Sequence, residues 1–385
     1  MNLNKKIFYL QYTNPAFYPP LENSSTLFSD KGWEVKFFGV KRMLLNNTDP
    51  EPKIYPNIEY IYVQAAMGKL WKKLHYIFFL CRSFYLVLIW RPSVIYCSDT
   101  FSTCVGYFLK KVFNMKAIYH EHDSPEWDRK RSNIFLKIFW IKFAQNADLC
   151  VLPNQLRCNH FLKETKTEKP VMRVWNCPLS KDIQKLTPKE SITRPFSLIY
   201  AGGVSPERLP ITVLDALEKI KQDLVLKIVG YDFIDSDYYL SKFLGEAKRR
   251  GVSDKVYYVG LANHYQLYEI IRNSDIGLGV IPMNHSNINF RGMFGASNKI
   301  FEYLACGLPV LVSDISEWVE MIVKPGYGLS CDPKIGSSVE EKLSWFISHP
   351  EEMKSMGRRG RDRVLKEWNY ESEFTKVFEM LDSNR

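Results

Sequence analysis

SNKIFEYLACGLPVLV, residues 297–312, has the pattern of a short helix feeding a strand. Ser297 stands where a helix opens, Gly307 where one ends, and Pro309 leads into the β-branched run Val310-Leu311-Val312. At helical spacing Lys299 and Glu302 share one face, three residues apart. The segment before it, residues 289–296 (NFRGMFGA), carries Gly292 and Gly295, and a glycine-rich loop opening a helix offers backbone N–H groups to a phosphate.

The same alternation of short β-rich runs with helical patterns extends through the 385 residues. Strands are expected at 5–12, 34–40, 58–63, 94–97, 116–120, 148–152 and 171–174, and again at 196–201, 224–229, 255–259, 275–281 and 309–312. This predicts an α/β protein of two doubly wound parallel-sheet domains, with ligands at the carboxyl ends of the strands. The boundaries follow from composition: a first domain over 1–180, a polar, lysine-rich linker over 181–195, a second domain over 196–365, and a last helix over 366–385 crossing back to the first domain. Hydrophobic residues at 46% and charged residues at 24% exclude disorder and coiled coil. The eight cysteines form no C-x-x-C pair and lie mostly in apolar runs, which predicts reduced, buried thiols rather than a zinc site or a disulfide framework. The start MNLNKKIFYLQY is not patterned as a signal peptide, so a cytoplasmic location is expected.

The run SNKIFEYLACGLPVLVS resembles the donor-binding motif of the retaining GT-B glycosyltransferases of group 1 (family 4), in which a lysine, a Glu-Tyr pair and a Gly-x-Pro-Val turn stand in this order. Further blocks agree in order: IYHEHDSPEW (118–127), ADLCVLPN (147–154), VWNCP (174–178), LIYAGGVSPERLPITVLDAL (198–217), LKIVGYD (226–232) and VYYVGLANHYQLYEIIRNSDIGLGVIP (256–282). The resemblance implies two Rossmann-like domains, an acceptor-binding first and a nucleotide-sugar-binding second. It implies that Glu302 accepts from the ribose hydroxyls, and that Lys299 and Arg208 neutralise the leaving diphosphate. Gly202, Gly203, Gly260, Leu261, Gly295, Ser297 and Asn298 fall in the remaining donor-binding positions. The family's second glutamate, eight positions before the ribose-binding one, is replaced by Phe294. The sugar donor is then a co-substrate, and neither a cofactor nor a metal is expected.

In the first half His120, Glu121, His122 and Asp123 follow a strand end, and His122 aligns with a histidine lying near the transferred sugar. Glu121 or Asp123 would orient it, and His120 and Asp123 join the acceptor candidates. The aromatic, proline-rich loop at 12–20 adds Asn14, Phe17 and Tyr18. Asp235-Ser236-Asp237 reads as a capping loop rather than a metal site.

All of the formal +10 lies in residues 1–180, which carry a net +11 against −1 for the rest. An anionic surface is therefore an expected partner. Residues 69–90 and 129–143 mix long apolar runs with cations, and they read as buried or interfacial helices rather than a span. No nucleic-acid module is present in the pattern. Together these features predict sugar transfer from a nucleotide diphosphate sugar to a lipid-linked or growing glycan acceptor in cell-surface polysaccharide synthesis, on the inner face of the membrane. A nucleotide-sugar 2-epimerase and a non-catalytic partner subunit of the same fold are the alternatives.

Overall fold

The structure, a computed structural model, describes residues 4–41, 52–65, 68–127, 133–188, 195–232 and 238–383. Two compact units divide it: residues 1–176 with 373–385, and residues 177–372. The loop Asp235-Ser236-Asp237, the first part of 129–143 and residues 189–194 of the expected linker lie outside the described residues.

The first unit runs β1 (Lys6–Leu10), α1 (Pro19–Asp30), β2 (Glu34–Lys41), β3 (Ile58–Gln64), α2 (Lys69–Trp90), β4 (Val94–Cys97), α3 (Thr100–Phe113), β5 (Lys116–His120), α4 (Ile134–Ala144), β6 (Leu149–Leu152), α5 (Gln155–Thr165) and β7 (Val171–Arg173). Its seven strands are parallel in the order β3-β2-β1-β4-β5-β6-β7. The central strands VIYC and LCVL are buried along their whole length, as strands covered by helices on both faces must be. Alternation sorts their side chains. Leu10, Ile95, Cys97, Ala117 and Tyr119 meet Phe79 and Val87 of α2, Val105 and Leu109 of α3, and Trp140 and Phe143 of α4 in one core layer. On the other face Tyr9 stacks on Tyr96 at 4.3 Å and meets Phe28 of α1 edge-on.

The second unit opens with α6 (Ser180–Gln184), so part of the expected linker is helical. It continues β8 (Phe196–Val204), α7 (Thr212–Lys219), β9 (Leu224–Asp232), α8 (Tyr239–Arg249), β10 (Val256–Gly260), α9 (His264–Arg272), β11 (Ile276–Gly279), α10 (Ile288–Arg291), α11 (Asn298–Ala305), β12 (Val310–Ser313), α12 (Ser316–Trp318), β13 (Gly328–Cys331), α13 (Gly336–Ser348), α14 (Pro350–Lys366) and α15 (Tyr370–Ser383). The parallel order is β10-β9-β8-β11-β12-β13. Strand β13, of sequence GLSC, has no counterpart among the expected strands because it lacks an apolar run. The last residues of α15 belong to the first unit: Phe374 and Phe378 lie 5.9 and 5.0 Å from Phe28, and Glu373 accepts from the Trp175 amide at 3.1 Å.

In each sheet the strand order reverses once, between β1 and β4 and between β8 and β11. The carboxyl ends of those strands are where open α/β sheets receive ligands. Seven of the eight cysteines are buried as expected; Cys81, on α2, is exposed.

Candidate active site

In the second unit the site grows from α11. Tyr303 is fully buried and its hydroxyl accepts from the Ala201 amide at 2.8 Å, which ties the helix to the end of β8. That bond sets Lys299, one turn earlier, over the ring of Tyr200 with Nζ 4.1 Å from its centroid. The Tyr200 hydroxyl in turn donates to the Gly203 carbonyl at 2.5 Å.

Glycine is required beside this lysine. Gly202 has φ +126, and a Cβ there would sit 3.5 Å from the Lys299 ammonium; a Cβ on Gly230 would fall 1.9 Å from the Gly202 carbonyl oxygen. After β8 the chain turns tightly, with the Arg208 and Leu209 amides both donating to the Ser205 carbonyl, at 3.1 and 2.9 Å. Arg208 then lies over Phe290 at 5.6 Å. Burial pushes Lys299 down to about 7, Arg208 pushes it the same way, and Glu302 opposes both. Lys299, Arg208, Gly202, Gly203 and Glu302 are thus brought together at the β8 end.

Ser297 stands at the N-cap of α11, yet its side chain makes no capping bond. The bend before it is closed by backbone instead: the Ala296 and Ser297 amides donate to the Met293 carbonyl, and Gly295 takes φ +77. Asn298 begins the helix. Gly260, with φ +88, and exposed Leu261 end the edge strand β10, which β9 separates from β8.

Two groups were not legible as site residues. Tyr268 of α9 is buried with its hydroxyl unpartnered among the described residues, and the nearby charge of Glu302 adds to the burial that raises its pKa. Ser205 Oγ, in the loop after β8, is likewise enclosed without a partner. Neither residue type is unusual at its position, so only burial exposes them.

Phe294, where the related motif has a glutamate, is buried between Phe301 and Trp368, with ring centroids 5.8 and 6.0 Å away. Phe294→Glu is expected to cost about 3–5 kcal/mol by burying an unpaired charge, with no gain in turnover. Denaturant unfolding measures the first and an activity assay the second; unchanged stability with faster turnover would contradict it.

In the first unit His120 closes β5, and its Nδ1 is 2.7 Å from the Tyr96 hydroxyl. The His122 ring lies 4.2 Å from that of His120 and 5.1 Å from that of Tyr18. Nε2 of His120 and both ring nitrogens of His122 are buried and unpartnered among the described residues. Burial holds both imidazoles neutral, pushing His122 down to about 4 and His120 well below the usual range. Arg157 fixes the loop, donating to the His122 carbonyl at 2.5 Å and pairing with exposed Asp123 at 3.5 Å. Asn14 caps a turn, its Oδ1 accepting from the Ala16 amide at 3.1 Å, and Phe17 is exposed within that turn.

Glu121 does not orient His122. Strand parity turns it toward the opposite layer, where its carboxylate accepts from Trp140 Nε1 at 2.7 Å, Ser124 Oγ at 2.9 Å and the Tyr119 hydroxyl at 3.1 Å. Burial outweighs these bonds and raises Glu121 to about 7. Glu121→Ala strands buried donors and is expected to cost about 2–4 kcal/mol. Because the folded pKa is raised, wild-type stability from this group is complete below the unfolded value of 4.5 and declines as pH rises through about 7. Glu121→Gln removes that dependence, so its Tm relative to wild type should climb between pH 5.5 and 8.5; a constant difference would contradict the shift.

Among the described residues no three His, Cys, Asp or Glu side chains are grouped to hold a metal ion. Residues 211–379 match a family model described as Glycosyl transferase-like. Sucrose-phosphate synthase from Thermosynechococcus elongatus is similar in structure over 99% of this chain and 100% of its own, at TM-score 0.73 and 15% identity. Domain and fold agree. The chain carries a glycosyl transferase-like domain on a GT-B-like fold. Two more solved glycosyltransferase-fold structures resemble it: Anabaena Alr3699/HepE in complex with UDP and glucose (TM-score 0.71, 16% identity, 98% of this chain and 99% of that one) and the lipopolysaccharide outer core galactosyltransferase WaaB (0.64, 16%, 99% and 100%). No curated protein sequence matches the chain.

Proposed function

We propose that this protein moves a sugar from a nucleoside diphosphate donor to a lipid-linked or growing glycan acceptor, with retention as in family 4, in cell-surface polysaccharide synthesis at the inner face of the membrane. The observation that carries the donor reading is the Tyr303–Ala201 bond, which holds Lys299 of α11 beside the glycine pair near the end of β8, with Glu302 on the same helix close enough to Lys299 to act on its charge.

Leaving-group departure places negative charge on the diphosphate. Arg208, the amides opening α11 and Lys299, which takes its proton as the diphosphate binds, supply the positive field for it from groups already held in place. Glu302 accepts from the ribose hydroxyls, and the Tyr268 phenol beside it adds a donor for the same sugar. His122, kept neutral, hydrogen-bonds a hydroxyl of the transferred sugar or the acceptor without competing charge. No metal is needed in this scheme. UDP is the first nucleotide to test, since a similar structure holds it.

The direct test is incubation of the purified protein with UDP-, GDP-, ADP- and CMP-sugars, with and without lipid-linked acceptors, reading nucleotide release and the anomeric configuration of the product by NMR. Acceptor-dependent release with a retained anomer is expected. A new nucleotide sugar formed from donor alone would favour the epimerase, and no turnover with any pair would overturn the proposal.

A further inference from the structure

Helices α2, α3 and α4 form one layer on one face of the first sheet. Tyr76 of α2 donates to the Phe101 carbonyl at 2.7 Å, Phe84 and Phe113 lie 6.0 Å apart, and Phe108 of α3 is 5.3 Å from Phe139 of α4. The inner side of this layer is ordinary core. Its outer side is not.

Along α2 the residues Trp71, Leu74, Phe78, Cys81, Tyr85 and Leu88 recur at intervals of three and four, one stripe of a helix, and all are exposed. Phe108 and Val112 continue the apolar surface on α3, and Ile134, Phe135 and Ile138 on α4. Ile134 and Trp71 are 70% and 66% exposed, values that an isolated helix face in water does not reward over so wide an area. The charges on the same helices are of one sign: eight lysines and arginines and not one aspartate or glutamate. Lys110 pairs with Asp148, whereas Lys72, Lys73, Arg82, Lys111 and Lys142 are exposed around the apolar stripe.

We propose that the α2–α3–α4 face is a membrane-docking surface that seats in the headgroup region of an anionic bilayer. Apolar residues enter the boundary with the acyl chains while the surrounding cations meet lipid phosphates. By length and composition residues 71–90 would also suffice to cross a membrane. The inner side of α2 decides between the two, because Phe79, Ser83 and Val87 are buried in the sheet core and a spanning helix would expose that core. A second copy of the chain is the less favoured occupant, since it would set the five exposed cations against the same five. This inference deepens the membrane location in the proposed function and rests on none of its chemistry, so vesicle binding can fail or hold independently of nucleotide and acceptor.

The test is flotation of the intact protein with vesicles of phosphatidylcholine alone or mixed with phosphatidylglycerol. Binding to the anionic vesicles should exceed that to the zwitterionic ones by about tenfold or more and weaken as salt is raised. Phe78→Glu with Leu88→Glu should abolish it while circular dichroism and Tm stay as in wild type, both positions being exposed. Should that variant not fold, Cys81 provides a second readout as the one exposed cysteine. A polarity-sensitive fluorophore on it should shift to the blue with anionic vesicles, and an unshifted emission overturns the proposal. Equal, salt-insensitive binding that survives carbonate extraction would mean a spanning helix. A dimer lost in the double variant, without vesicle binding, would mean a second copy. Either result overturns it.

Discussion

Replacing Glu302 by alanine weakens binding of the matching nucleoside diphosphate by about 10- to 100-fold, the loss expected for charge-assisted hydrogen bonds of about 1.5–3 kcal/mol. The fold should stand. Glu302 is half-buried on a helix that Tyr303 anchors independently, and alanine is the better helix former. A second consequence separates a donor role from a structural one. Glu302 is the group opposing the downward push on Lys299, so its removal lowers Lys299 further and the affinity deficit should widen from pH 6 to pH 8. Glu302→Gln keeps the shape and one acceptor and should fall between the two. Titration calorimetry at both pH values measures this; equal affinity in a folded Glu302→Ala protein would remove Glu302 from the site.

Lys299 carries the other large effect. Lys299→Met should lower kcat by about 100- to 1000-fold, the usual loss when a fixed group facing developing charge is deleted. Its ionisation provides a signature. The ordinary lysine value of 10.5 falls to about 7 in the fold, so at pH 8 the free protein holds Lys299 mostly neutral. A bound diphosphate restores the cation, and binding at pH 8 should take up close to one proton, with almost none at pH 6, where the lysine is already charged. The same shift sets a stability slope: the unfolded chain binds more protons between about 7 and 10.5, so folding gains from this group as pH rises through that window. Calorimetry in buffers of different ionisation enthalpy counts the proton. Uptake that persists in Lys299→Met would assign it elsewhere.

The sheets were legible because parallel strands buried on both faces are written as unbroken apolar runs, as in VIYC, LCVL and VLVS. GLSC escaped because a short strand of small residues has no such run. Helix α2 carries apolar residues on its inner and outer faces alike, and periodicity cannot tell one from the other; only packing separates Phe79 and Val87 from Phe78 and Leu88. The proposed donor site could be read in sequence only where its groups are near neighbours, as Lys299 and Glu302 are. Tyr268 and Ser205 depend on chain segments meeting through the fold, which local pattern does not encode. Glu121 shows a subtler case, since it sits between two histidines in sequence and strand parity alone turns it from them.

The central claim is that the β8–α11 site binds a nucleoside diphosphate. A thermal-shift screen of the purified protein against UDP, GDP, ADP and CMP and their sugar conjugates, without added metal, tests it most directly, because a ligand that binds only the folded state raises Tm. One nucleotide should give a clear rise that shrinks in Glu302→Ala. No rise with any of them, or a rise untouched by the substitution, would contradict the account.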